Sequence, residues 1–158
     1  ITKMVKRISA GILMYRQTNG VVEVLLAHPG GPFFAKKDNN HWSIPKGEPD
    51  GDEDLLITAM REFKEETGLT PLGNFINLGS ITQKGGKEVF AWAVEGDFPA
   101  GFVHECNTFE IEWPPRSGKF QEFPEIDKIE FFTVDKAKEK IKETQIPLLE
   151  RLMQHLEM

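Results

Sequence analysis

The chain has 158 residues, 39% hydrophobic and 28% charged, with a formal net charge of -6, enough to bury one sizeable core but hardly two, so residues 1–158 are expected to form a single domain. The acidic balance and a pI near 5.3 argue against broad binding to a nucleic acid polymer, which relies on basic surfaces. A single cysteine, Cys106, excludes an intrachain disulfide and a cysteine-based zinc site, and with no apolar run of membrane-span length the expectation is a cytoplasmic protein without a membrane partner.

In chain order, Ile8 to Tyr15 and Val21 to Ala27 are apolar, β-branched runs, and the Asn19-Gly20 pair between them predicts an antiparallel hairpin. A Gly/Pro-rich polar loop from His28 to Asn40 leads into Trp42-Ser43-Ile44-Pro45-Lys46-Gly47. Asp52, Glu53 and Asp54 then place acceptors and negative charge where a helix begins, predicting a start near Asp52. Leu56, Met60 and Phe63 recur at offsets of four and three and so share an apolar face. Gly68 sits where a left-handed residue ends a helix, predicting a stop near Thr67.

Strands predicted over Phe75 to Gln83 and Val89 to Glu95 flank a lysine-bearing turn, Lys84-Gly85-Gly86-Lys87. Gly96 to Gly118 is a long excursion of the kind that carries specificity. Phe109 to Trp113 and Ile129 to Val134 predict two more strands, with a loop from Phe120 to Asp127 between them. From Asp135 the chain reads as helical to its end, bent or restarted at Pro147, with Leu148, Leu149, Leu152 and Leu156 on a buried face. Mixed strands and helices in this order predict an α/β sandwich.

The chemistry concentrates at the end of the first helix. Glu62, Glu65 and Glu66 lie at i, i+3 and i+4, so three carboxylates emerge from nearly the same side of the last two turns. Each like-charged pair at that spacing costs roughly 0.2–0.5 kcal/mol, and anions are disfavoured at a helix C-terminus. A hard divalent cation with oxygen ligands, Mg²⁺ or Mn²⁺, is the economical compensation. Arg61 can hold one carboxylate in orientation through its planar fork. Taken alone, such a charge run reads as a solvated helix face.

The register of the whole segment changes that reading. Gly47, five residues, Glu53, seven residues and then Arg61-Glu62-Phe63-Lys64-Glu65-Glu66-Thr67-Gly68-Leu69 resembles the Nudix box, the signature of hydrolases that cleave nucleoside diphosphates linked to another group. The approach Trp42-Ser43-Ile44-Pro45-Lys46 is similar to that of many family members, diadenosine tetraphosphate hydrolases among them. The run from Trp113 to Asp127 resembles a group of Nudix proteins described as predicted nucleoside triphosphate pyrophosphohydrolases.

The resemblance implies an α/β/α sandwich with a mixed sheet between helices. It implies metal ligation by Glu62, Glu65, Glu66 and the Gly47 carbonyl, with Glu53 supporting the box. It also implies cleavage of a diphosphate linkage in a small nucleotide-type substrate, a nucleoside triphosphate ahead of a dinucleoside polyphosphate or a nucleotide sugar. Members often place a further catalytic or metal-binding glutamate outside the box, and Glu122, with Glu125 as the alternative, is the candidate. Many members are dimers, which leaves a homodimer open. The competing reading from another class is a non-catalytic module of the same fold that binds a nucleotide and reports it to a partner; that reading predicts a damaged carboxylate set.

Among remaining residues, Lys46 is the best placed to meet substrate phosphates, followed by Lys84 and Lys87, and Arg116 and Lys119 of the excursion could meet a longer phosphate chain. Trp42, Trp113, Phe120 and Phe123 could stack a base but more often pack a core. Phe33 and Phe34 are better candidates for a pocket wall, being aromatic residues in a loop with few apolar neighbours. The four histidines form no metal-spacing cluster and receive no role.

Overall fold

The computed structural model describes residues 7–157. Strands β1 (Ile8–Thr18) and β2 (Val21–Pro29) form the expected hairpin, and both turn residues take positive φ, Asn19 at 53° and Gly20 at 78°. Beyond the Tyr15–Val24 pair the two strands part, and the chain re-enters between them. Ser43 bridges Ala27 on one side, while β3 (Lys46–Gly47) pairs antiparallel with Ala10 and Gly11 of β1 on the other. Gly11 permits this approach, because a Cβ there would stand 2.6 Å from the Pro45 carbonyl oxygen. The Trp42 to Gly47 segment is therefore a built-in part of the sheet and delivers Lys46 and Gly47 to its middle.

Helix α1 (Leu55–Thr67) follows, then β4 (Ile76–Thr82), β5 (Glu88–Glu95), a hairpin of β6 (Thr108–Glu112) and β7 (Phe120–Pro124), and β8 (Ile126–Thr133). The main sheet runs β4-β5-β1-β2-β8, with β1 and β5 parallel and the other pairs antiparallel. Helix α2 (Val134–Lys140), a single 3₁₀ turn at Glu143–Gln145 and helix α3 (Ile146–Leu156) close the chain.

Alternation along β1 assigns the two faces. Ala10, Ile12 and Met14 join Ala59 and Phe63 of α1 in one core. Leu13 and Tyr15 join Ile141, Leu148, Leu149 and Leu152 in the other. A mixed sheet between helical layers is the α/β sandwich that the sequence pattern predicts, in the α/β/α form that the resemblance implies. No helix among the described residues is long and apolar enough to cross a membrane.

Four expectations are corrected. Helix α1 begins at Leu55 rather than near Asp52, because Asp54 caps it with its Oδ2 accepting from the amides of Leu56 and Ile57. Its buried stripe runs through Thr58, Ala59, Phe63 and Thr67, so Met60 lies to one side. Phe120–Pro124 is a strand rather than a loop, paired with β6 through Glu110 and Glu122 among others. The C-terminal helix is broken, because the Trp42 amide donates to the Lys140 carbonyl at 3.0 Å and the Lys142 amide to the Trp42 carbonyl at 2.8 Å. That pairing holds residues 140–142 extended beside Trp42.

Candidate active site

Arg61 organises the start and middle of the acidic face. Its Nε donates to Glu53 Oε2 at 3.0 Å and its Nη2 to Glu53 Oε1 at 2.9 Å, a two-pronged pair. The same Nη2 reaches the Glu48 carbonyl at 3.1 Å. Nη1 donates to Glu62 Oε1 at 2.9 Å and to both oxygens of Glu65 at 3.3 Å. Arg61 and the hydroxyl of Thr58 together hold the Glu53 carboxyl down to about 2. Glu53 is thus a fixed anion that orients Arg61, and Arg61 orients two of the three carboxylates of the helix end.

Glu62 turns toward β3. A Cβ at Gly47 would fall within its carboxylate, so only glycine leaves room for the side chain there. Desolvation raises the Glu62 pKa. Glu66 is pushed up to about 8 by desolvation first and by the charge of Glu62 second. Opposite it, Lys46 is brought down to about 8 by desolvation and by the like charges of Lys142 and Lys87. Lys46, Glu66, His41, Ser43 and Lys142 line one cleft of about 150 Å³. An acid and a base with displaced protonation equilibria therefore face the same small space.

The donors fit a hard divalent cation. They are oxygens only, two of them desolvated carboxylates whose repulsion a cation relieves, and the backbone of Gly47 runs against one. Among the described residues, no three His, Cys, Asp or Glu side chains converge in ligating geometry. Glu65 instead faces Arg61, whose Nη1 it shares with Glu62.

The two candidate glutamates outside the box separate in space. Glu122 lies on β7 and accepts a hydrogen bond from the Thr108 hydroxyl. Glu125, just beyond β7, acts by like charge on both Glu62 and Glu66. Lys87 forms an ion pair with Glu48 at 3.5 Å, and Lys84 lines a second cavity of about 480 Å³ with Asn40, His41, Gln83, Lys142 and Thr144. Phe34 lies outside both linings, its ring 6.4 Å from that of His41. Phe33 packs edge-on against Trp113 at 5.3 Å, and Trp42 is a core residue donating to Asp38. Arg116 and Lys119 are exposed at the tip of the β6–β7 hairpin.

Sequence reasoning missed three contributors. His41 lines both cavities, as does Lys142 from the connection after α2. His104 Nε2 lies 2.8 Å from the Glu66 carbonyl, where its N–H closes the last turn of α1. The signal for His41 was its place directly before Trp42; Lys142 carried none, since its position depends on pairing across the fold.

A family model described as NUDIX domain matches residues 5–152. The asymmetrical bis(5'-nucleosyl)-tetraphosphatase of Caenorhabditis elegans is 39% identical over 62 residues, covering 39% of this chain and 41% of that protein. The chain spans less than half the length of the first curated relatives it matches. The NUDIX domain of Shewanella oneidensis NrtR, solved with ADP ribose, aligns at TM-score 0.68 and 15% identity, covering 98% of this chain and 90% of that one. A binary complex of Caenorhabditis elegans Ap4A hydrolase aligns at TM-score 0.67 and 23% identity, covering 94% and 98%. Both structures share the sandwich described above.

Proposed function

The chain belongs to the NUDIX family, and from that premise we propose that it is a divalent-cation-dependent pyrophosphohydrolase that cleaves a diphosphate linkage in a nucleotide-type substrate. The observation that carries the reading is the cleft in which Glu66, beside Glu62 and Gly47, faces Lys46. Anionic groups able to hold a cation and a cation able to meet phosphate stand across one small space. Nucleoside triphosphates and dinucleoside polyphosphates are the leading substrate classes, and the likeness to a bis-nucleosyl tetraphosphatase supports them.

In this reading Glu62, Glu65, Glu66 and the Gly47 backbone hold Mg²⁺, with Mn²⁺ a substitute. When bound, the cation supplies charge neutralisation at phosphate oxygens and acidification of water. Arg61 orients Glu62 and Glu65. Lys46 steadies a phosphate, with Lys84 and Lys87 along the same side and Phe34 near the rim. Glu125 completes the acidic site in preference to Glu122, because its charge acts on Glu62 and Glu66. Cleavage is then mainly a matter of positioning and charge stabilisation.

A second reading has one specific observation in its favour. Arg61 holds Glu65 through both oxygens, away from a shared ion, although the intact Glu62, Glu65 and Glu66 set weighs against a module that binds a nucleotide without turning it over. A product-resolved assay separates the two: nucleoside triphosphates, dinucleoside polyphosphates and nucleotide sugars are incubated with and without Mg²⁺. Mg²⁺-dependent cleavage at a phosphoric anhydride supports the hydrolase. Binding without cleavage across the panel supports the module.

A further inference from the structure

The connection between α2 and α3 is locked onto the candidate site. Gln145 is fully buried and its amide is fully used. Its Oε1 accepts from the Ile44 amide at 3.1 Å, and its Nε2 donates to Ser43 Oγ at 3.0 Å and to Gln83 Oε1 at 2.9 Å. One side chain therefore ties together the segment that leads to Lys46, the turn that carries Lys84 and Lys87, and the connector itself. Backbone bonds between Trp42 and residues 140 and 142 add a second tether. Buried polar networks whose members are all satisfied rigidify the elements they join.

The tethered connector carries Lys142 to a particular place. The cleft beside Glu66 and the larger cavity share two lining residues, His41 and Lys142. The first, at about 150 Å³, is the smaller of the two. The second, at about 480 Å³, lies in the usual range for a small-molecule pocket and offers the polar groups of Asn40, Gln83 and Thr144 and the carboxylate of Glu143. Lys142 stands at the junction. Burial disfavours its ammonium first and Lys87 opposes it, while Glu66 favours it. Lys46 and Lys142 on the cleft and Lys84 on the larger cavity give the junction a cationic lining suited to a polyanion.

We propose that Lys142 is a phosphate-binding and specificity-determining residue, and that the cavity beyond it takes the nucleoside attached to a phosphate chain crossing this junction. The proposal rests on the reading of the Glu66 cleft as a phosphate site. It assigns the nucleoside to the connector side of the protein.

Calorimetric binding in Mg²⁺ tests this without requiring turnover, using ATP and inorganic tripolyphosphate as probes on wild type, Lys142→Met and Thr144→Trp. Lys142→Met should weaken both probes by about tenfold or more, the loss expected for a charged hydrogen bond. Thr144→Trp, which narrows the larger cavity, should weaken ATP by a similar factor and leave tripolyphosphate unchanged. Lys142→Arg, which keeps the charge, should recover most of the lost affinity and guards against a folding artefact. Equal affinity for wild type and Lys142→Met overturns the proposal, as does loss of both probes in Thr144→Trp or a wild type that binds neither. Binding in the expected pattern with no product formed rejects the hydrolase and supports the inference.

Discussion

The Glu62 carboxylate occupies the space that any side chain at Gly47 would need. Gly47→Ala must therefore push Glu62 off its position beside β3. A displacement of about 1 Å in a positioned group costs on the order of 10²-fold in rate. We expect turnover to fall by about that factor while circular dichroism stays native. Unchanged turnover in Gly47→Ala would remove the Glu62–Gly47 contact from the account.

Arg61 presents a planar fork to Glu53 and a second edge to Glu62 and Glu65. A lysine keeps the charge and loses both geometries. Arg61→Lys should therefore resemble Arg61→Ala in activity, each lowered by about 10²-fold or more. Recovery of wild-type turnover by Arg61→Lys would show that charge alone is needed there.

Glu125 and Glu122 give a paired comparison. Only Glu125 acts electrostatically on Glu62 and Glu66, whereas Glu122 is bonded to Thr108 on the outer hairpin. Glu125→Gln should reduce turnover at least about tenfold, within the range for loss of an acid–base or charge-positioning group, and Glu122→Gln should leave it near wild type. The reverse ranking would return the outer carboxylate to Glu122.

Stability should depend on pH in a defined window. Folding raises the Glu66 carboxyl from 4.5 to about 8, so the folded state holds its proton more tightly than the unfolded one. Its contribution is fully present below the unfolded value near 4.5 and is lost as pH rises toward about 8. Lys46, depressed from 10.5 to about 8, contributes in the opposite sense and only above that range. In chelator, the melting temperature should decline from pH 5 to pH 8, and Glu66→Gln should flatten the decline. Mg²⁺ at about 100 times its Kd should add about 2.7 kcal/mol at pH 8. A melting temperature indifferent to both pH and Mg²⁺ would contradict the crowded-carboxylate picture.

The elements that position the candidate site were legible where their signals are local. Asn19-Gly20 dictated a turn and Gly68 ended α1 at φ 85°, whereas the i, i+3, i+4 spacing brought Glu62 and Glu66 toward the cleft and left Glu65 against Arg61. What it hid depends on distant partners. Strand β7 has an exposed, unpatterned sequence and exists through its pairing with β6. The break after Lys140 has no glycine or proline to announce it and follows from the Trp42 bridge. Lys142 and Gln145 lie about a hundred residues from the segment they serve, as the Gln145–Ile44 separation of 101 shows. Their roles are products of topology.

The most direct test of the central claim is turnover at saturating Mg²⁺ for wild type and Glu65→Gln, on whichever nucleoside triphosphate or dinucleoside polyphosphate the wild type cleaves best. The account predicts a loss of several orders of magnitude in kcat, with folding and nucleotide affinity retained. Turnover by Glu65→Gln close to that of wild type would contradict it and release Glu65 to a structural partnership with Arg61.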